Sequence, residues 1–240
     1  MLSKLKSDIN KLKNSQKARD YAWFFKTGAG EYGEGDKFLG LTMPQMRSIV
    51  KKYLDLKLED IQKLLDSKIH EYRMIGVLIL VKQYENAKKL RDPSAAARLR
   101  DDIFFFYLKN SKRINNWDLV DLSAPNIVGN YLLDKKRDIL YKYAQSKNLW
   151  KRRIAVISTA AFINQNDFKD ILKLSKMLLN DKHDLIHKAT GWMLREVGKR
   201  DVKVLEKFLD KHTLQMPRTM LRYSIEKFDE KKRKYYLIKK

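Results

Sequence analysis

The chain has 240 residues and carries 52 Lys+Arg against 29 Asp+Glu, a net charge of +23. Its 44% hydrophobic content suffices for one large domain or two small ones, and a sequence pI of about 9.9 points to an anionic partner, nucleic acid ahead of an acidic membrane surface. The lack of cysteine excludes disulfides, thiolate catalysis and cysteine–zinc sites, and no run approaches the ~20 apolar residues that cross a bilayer.

The first twenty residues hold no apolar run long enough for a secretory signal, so a cytoplasmic protein without membrane attachment is expected. Gly and Pro are scarce, 9 and 4, and apolar residues recur at three- and four-residue spacing almost throughout. An aromatic-rich helix runs through Tyr21-Ala22-Trp23-Phe24-Phe25. The glycine-rich stretch 28–35 follows, and Gly28-Ala29-Gly30-Glu31-Tyr32-Gly33 satisfies the dinucleotide-binding pattern. A helix precedes it and no strand–helix–strand unit surrounds it, so a mobile connecting loop is expected instead.

Helical periodicity continues through 61–65, 72–84, 103–108, 140–143, 154–163, 171–179, 186–197, 204–209 and 221–228, with a break at Asp92-Pro93-Ser94. No strand alternation bounded by hairpin turns is visible. Helices starting near Tyr72, Trp117, Trp150, Ile186 and Thr219 recur at about 32 to 46 residues, the period of helical repeat arrays. This predicts an all-α fold of one domain, 1–240, whose repeats stack into a solenoid with a concave basic groove.

Three places in this array carry chemistry. In Trp117-Asp118-Leu119-Val120-Asp121 the helical step puts Trp117, Val120, Asp121 and Ala124 on one face, and an acid there is costly without a partner or a task. In Asn148-Leu149-Trp150-Lys151-Arg152-Arg153, Asn148 is a candidate N-cap and three cations crowd a helix start, where the dipole disfavours them. A bound anion removes that conflict. Arg153, on the shoulder of the apolar stripe, then meets either a phosphate or an internal acid such as Asp121. Trp192 lies off the stripe of Ile186, Ala189, Met193 and Val197, flanked by Lys188 and Arg195, and suits either a nucleic-acid surface or packing between repeats. His183 and His187 are one turn apart but lack the further ligands of a metal site, and His70 and His212 have no local partners. Lys231-Lys232-Arg233-Lys234 is a solvated basic run.

These segments, with Lys188-Ala189-Thr190-Gly191-Trp192-Met193-Leu194-Arg195-Glu196, resemble the AlkD-like DNA alkylation repair glycosylases, a family built of HEAT-like repeats. Phe38-Leu39-Gly40-Leu41-Thr42-Met43-Pro44 and Pro217-Arg218-Thr219-Met220-Leu221-Arg222-Tyr223 also fit that family, and the resemblance covers almost the whole chain. It implies removal of cationic alkylated purines, 3-methyladenine and 7-methylguanine, from double-stranded DNA by a monofunctional DNA glycosylase without metal or organic cofactor. It implies Asp121 as the catalytic aspartate, Trp117 and Trp192 as groove tryptophans, and Arg153 on phosphate, with Arg152, Lys151, Lys188 and Arg195 beside it as DNA-binding cations. A tyrosine common in the family's amino-terminal helix is Phe24 here, with Tyr21 nearby, and lacks its hydroxyl. A monomer is expected. The alternative is a HEAT-like module that binds nucleic acid without catalysis, and a protein–protein scaffold accounts for the repeats but not for the cations or Asp121.

Overall fold

Local signals set the helix boundaries. Asn14, Asp92, Asn148, Asp201 and Asp229 each cap a helix by accepting a backbone N–H from the first turn, and Thr42 with Gln45 forms a capping box that brackets Pro44. A computed structural model describes residues 1–239. Among them every regular element is helical, and the only β feature is an isolated parallel bridge between Lys37 and Ile69.

The chain divides into two units at Ser123 and Ala124. The first contains α1 (Leu2–Asn10), α2 (Ser15–Phe24), α3 (Met43–Lys51), α4 (Leu58–Leu65), α5 (His70–Ala87), α6 (Pro93–Lys109) and α7 (Trp117–Ser123). Its centre is α5, whose residues from His70 to Val81 are all buried because α3, α4, α6 and α7 pack around it. From Met74 to Val81 it is apolar on every side rather than striped, while its first turn buries the charged side chains of His70, Glu71 and Arg73. The chain between α2 and α3 folds back at Gly40, which has a φ of +84°. A Cβ there would meet the Asn14 carbonyl oxygen at 2.1 Å, so only glycine fits.

The second unit opens with a π-helical turn, Pro125–Gly129. It continues through α8 (Asp138–Ala144), α9 (Leu149–Ser158), α10 (Ala160–Ile163), α11 (Lys169–Met177), α12 (Asp184–Arg200), α13 (Val202–His212), α14 (Arg218–Ser224) and α15 (Glu230–Ile238). Here α12 is the central helix, in contact with α9, α11, α13 and α14. A Cβ on Gly191 would stand 2.5 Å from the Met220 carbonyl oxygen, so the absence of a side chain lets α14 lie directly on α12. The five repeated helix starts expected from the sequence correspond to α5, α7, α9, α12 and α14.

Candidate active site

The short helix α7 is held from behind. Leu119, Val120 and Ser123 are fully buried, and the Tyr107 hydroxyl of α6 pairs with Ser123 Oγ at 2.8 Å. At about 100° per residue, Trp117 and Asp121 fall together off that buried face, and both are half-buried. The sequence placed Asp121 on the apolar face with Val120 and Ala124. The helix in fact ends at Ser123, and its buried side turns toward Leu119, so Asp121 sits at the edge, within reach of solvent.

Trp117 belongs to an aromatic cluster. Phe25 stacks on it at 5.4 Å and 24°, Phe24 meets it edge-on at 6.1 Å, and Phe38 stacks on the far side of the cluster against Phe25 at 5.2 Å. The structure therefore joins two of the expected site residues, Phe24 and Trp117. Phe24 is 55% exposed and Trp23 83% exposed.

In the second unit, Asn148 caps α9 by accepting the Lys151 N–H at 3.0 Å. The crowded cations at this helix start have protein partners. Arg152 binds Asp181 at 2.7 Å and donates to the Ser146 and Lys147 carbonyls, while Lys151 lies 5.1 Å from the Tyr143 ring centroid. Asp181 thus supplies part of the negative charge that the helix start requires. Arg153 is only 4% exposed and donates to the Leu185 carbonyl at 2.6 Å, tying α9 to the chain just inside α12. On α12, Trp192 is half-buried and donates Nε1–H to Glu196 at 3.1 Å. Lys188 pairs with Asp184 at 2.8 Å, and Arg195 pairs with Glu226. His183 Nδ1 accepts the Leu185 N–H, and His187 Nε2 lies 2.6 Å from the Asp181 carbonyl oxygen.

Residues 5–228 match the family model described as DNA alkylation repair enzyme. The chain belongs to the DNA alkylation repair enzyme family. Among solved structures it resembles a predicted DNA alkylation repair enzyme from Enterococcus faecalis, with a TM-score of 0.65 and 16% identity over 91% of this chain and 97% of that one. At that identity the likeness establishes the helical-repeat fold. No curated protein matches. Membership points to an enzyme of alkylation repair acting on DNA. No helix among the described residues is long and apolar enough to cross a membrane.

The family match spans a charge network invisible in the sequence. His70, which has no local partners in the sequence, is 3% exposed and binds Asp118 of α7 at 2.8 Å through Nε2, with Asp36 at 3.5 Å from Nδ1. Arg73 donates to the same Asp36 oxygen at 2.6 Å. Burial acts to lower the His70 pKa, but Asp118 and Asp36 outweigh it, and the imidazole is pushed up to about 9. His70 is therefore an imidazolium at neutral pH, clamping the start of α7 beside Trp117. The partners lie 48 and 34 residues away, so no local pattern reveals them.

A pH dependence follows. Because the folded pKa exceeds the unfolded value, this stabilisation is fully present below about pH 6.5 and is lost as pH rises through about 9. The shift corresponds to roughly 3 kcal/mol. Denaturant titrations of wild type and His70→Gln across that window should show their stability difference shrinking as pH rises. A pH-independent difference means that the clamp does not depend on the imidazolium.

Proposed function

We propose that the protein is a monofunctional DNA glycosylase that hydrolyses the N-glycosidic bond of cationic alkylated purines, 3-methyladenine and 7-methylguanine, in duplex DNA. The observation that carries this reading is the pair Trp117 and Asp121, one turn apart and half-buried on a clamped helix, in a member of the DNA alkylation repair family. An N3- or N7-alkylated purine already bears the positive charge that weakens its bond to the sugar, and it departs neutral. The protein need only stabilise the oxocarbenium-like sugar and direct water to it. In this reading Asp121 supplies the negative charge and orients the water, while Trp117 and Trp192 pack against the deoxyribose and exclude solvent. The enzyme acts as a cytoplasmic monomer without metal or organic cofactor, and 1–240 works as one functional domain, since the family match runs across both units.

Lys151, Arg152, Arg153, Lys188 and Arg195 are proposed to hold the DNA backbone, with Phe24 against the duplex. The Lys188–Asp184 pair is exposed, so a phosphate competes for Lys188 at little cost. Arg153 is the hardest test of this set because it is also a buried structural donor. Arg153→Ala should weaken binding to any duplex and reduce the log–log salt slope by about one. It should also lower the melting temperature, since a carbonyl loses its charged donor. A lower melting temperature with an unchanged slope makes Arg153 purely structural.

The deciding experiment is mass spectrometry of free bases released from methylated duplex DNA. Release of 7-methylguanine and 3-methyladenine supports the reading. Duplex binding without release makes the protein a non-enzymatic nucleic-acid-binding module.

A further inference from the structure

A helix of seven residues is too short to hold its own direction, so contacts from outside α7 set where Trp117 and Asp121 point. Leu119, Val120 and Ser123 anchor its back. His70 anchors its first turn, and that residue reaches Trp117 by two separate routes. Along the chain, Asp118 directly follows Trp117. One Asp118 oxygen accepts the Leu119 N–H at 2.8 Å and the other meets His70 Nε2 at 2.8 Å. Through space, the His70 ring lies 5.0 Å from Phe25, tilted by 32°, and Phe25 stacks on Trp117 at 5.4 Å. We propose that His70 is a positioning residue, which fixes the Trp117–Asp121 edge of α7 for catalysis without itself touching DNA.

His70 is itself well fixed. Its backbone N–H donates to the Lys37 carbonyl at 2.8 Å and the Lys37 N–H donates to the Lys68 carbonyl at 2.9 Å, so the start of α5 is pinned to the segment that carries Asp36. Phe38 stacks on the imidazole at 4.8 Å and 25°. The charged groups around the ring are Asp118 from α7, Asp36 from the segment before α3, and Arg73 and Glu71 from α5 itself. Glu71 accepts N–H groups from Leu39, Gly40 and Leu41, and Arg73 donates to Asp36 and to the Ser67 carbonyl. When the imidazole loses its proton, Asp36 therefore keeps Arg73, whereas the cation paired with Asp118 was His70. The tie to α7 is the one that slackens. A purely stabilising ion pair changes how much of the protein is folded. A positioning contact changes the rate of the folded protein, since a displacement of about 1 Å at the reacting groups can cost about 10²-fold.

The inference rests on the glycosylase reading, and one arm of its test is independent of DNA. In the first arm, single-turnover release of 7-methylguanine and affinity for undamaged duplex are measured for wild type, His70→Gln and His70→Ala. Gln keeps a donor for Asp118 but neither the charge nor the ring, so its rate should fall about tenfold and that of Ala about 10²-fold, with duplex affinity nearly unchanged in both. A folded His70→Gln protein that releases base at the wild-type rate overturns the proposal, as does a rate loss matched by an equal loss of duplex affinity. The second arm uses wild type, so it holds even where a variant fails to fold. The carbon-bound ring protons of Trp117 are assigned in NMR spectra by their loss in Trp117→Phe and followed with pH. They should shift as His70 deprotonates, with a midpoint near pH 9, and the shift should be absent in His70→Gln. Trp117 signals that do not move through that pH overturn the proposal. Base release by wild type with unmoved Trp117 signals keeps the glycosylase and removes the positioning role. Moving Trp117 signals in a protein that releases no base keep the His70–Trp117 link and remove the glycosylase.

Discussion

Asp121→Asn is expected to cut the single-turnover rate of 7-methylguanine release by about 10²–10³ while leaving affinity for undamaged duplex nearly unchanged. That factor is what removing one preorganised electrostatic contact costs at a transition state, about 3 to 4 kcal/mol. The side chain keeps its size, so the change isolates charge. Asp121 sits at the edge of α7 rather than in its buried face, so the loss does not arise from a collapsed core. Leu119, Val120 and Ser123 still anchor the helix, and the clamp between His70 and Asp118 is unaltered. The control is the circular dichroism melt of the variant, which should match wild type to within a few degrees. A folded Asp121→Asn protein that releases base at the wild-type rate removes Asp121 from the mechanism.

The helical array was legible because its signals are local. Asn148 before a helix start, Asp92 before Pro93, and apolar residues at three- and four-residue spacing each depend on a handful of neighbours. The repeated starts at α5, α7, α9, α12 and α14 follow from the same periodicity. Exposure was harder to read. A cation on the shoulder of an apolar stripe looks the same in sequence whether it faces a groove or a neighbouring helix. Arg153 turns out 4% exposed, against the Leu185 carbonyl. Lys188 has its partner Asp184 at the i−4 position, a spacing that the sequence displays openly.

The parts of the site that escaped the sequence are those assembled by tertiary packing. His70 meets Asp36 and Asp118 only because α5, α7 and the segment before α3 converge. The aromatic cluster around Trp117 needs Phe38 brought onto Phe25, which depends on the reversal at Gly40 and the Glu71 carboxylate that accepts its N–H. The stretch 28–35, expected to be a connecting loop, carries hydrogen bonds from the Gly33 N–H to the Lys26 carbonyl and from the Gly28 and Gly30 amides to the Glu31 and Glu34 side chains. Glutamate side chains closing turns on nearby glycines were readable in principle, from Gly28 with Glu31 and Gly30 with Glu34.

Selectivity for charged lesions is the second large effect expected. In matched duplexes, 7-methylguanine and 3-methyladenine should be released at least about 10²-fold faster than uracil or hypoxanthine. A neutral base leaves as an anion unless a positioned acid protonates it, and such an acid contributes roughly 10²–10⁴ in rate. Ordinary glycoside hydrolysis uses a second carboxyl group for that purpose. Near Asp121 on α7 the other carboxyl group is Asp118, whose oxygens accept from His70 Nε2 and the Leu119 N–H. The nearby histidine, His70, is held between Asp118 and Asp36 and pushed up to about 9, so it gives up its proton reluctantly at neutral pH. A base that departs neutral requires neither group, and one carboxylate facing the sugar cation is enough. The measurement is single-turnover release from the four duplexes under identical conditions. Release of uracil or hypoxanthine at a rate comparable to 7-methylguanine requires a general acid that neither Asp118 nor His70 provides, and with it a different mechanism.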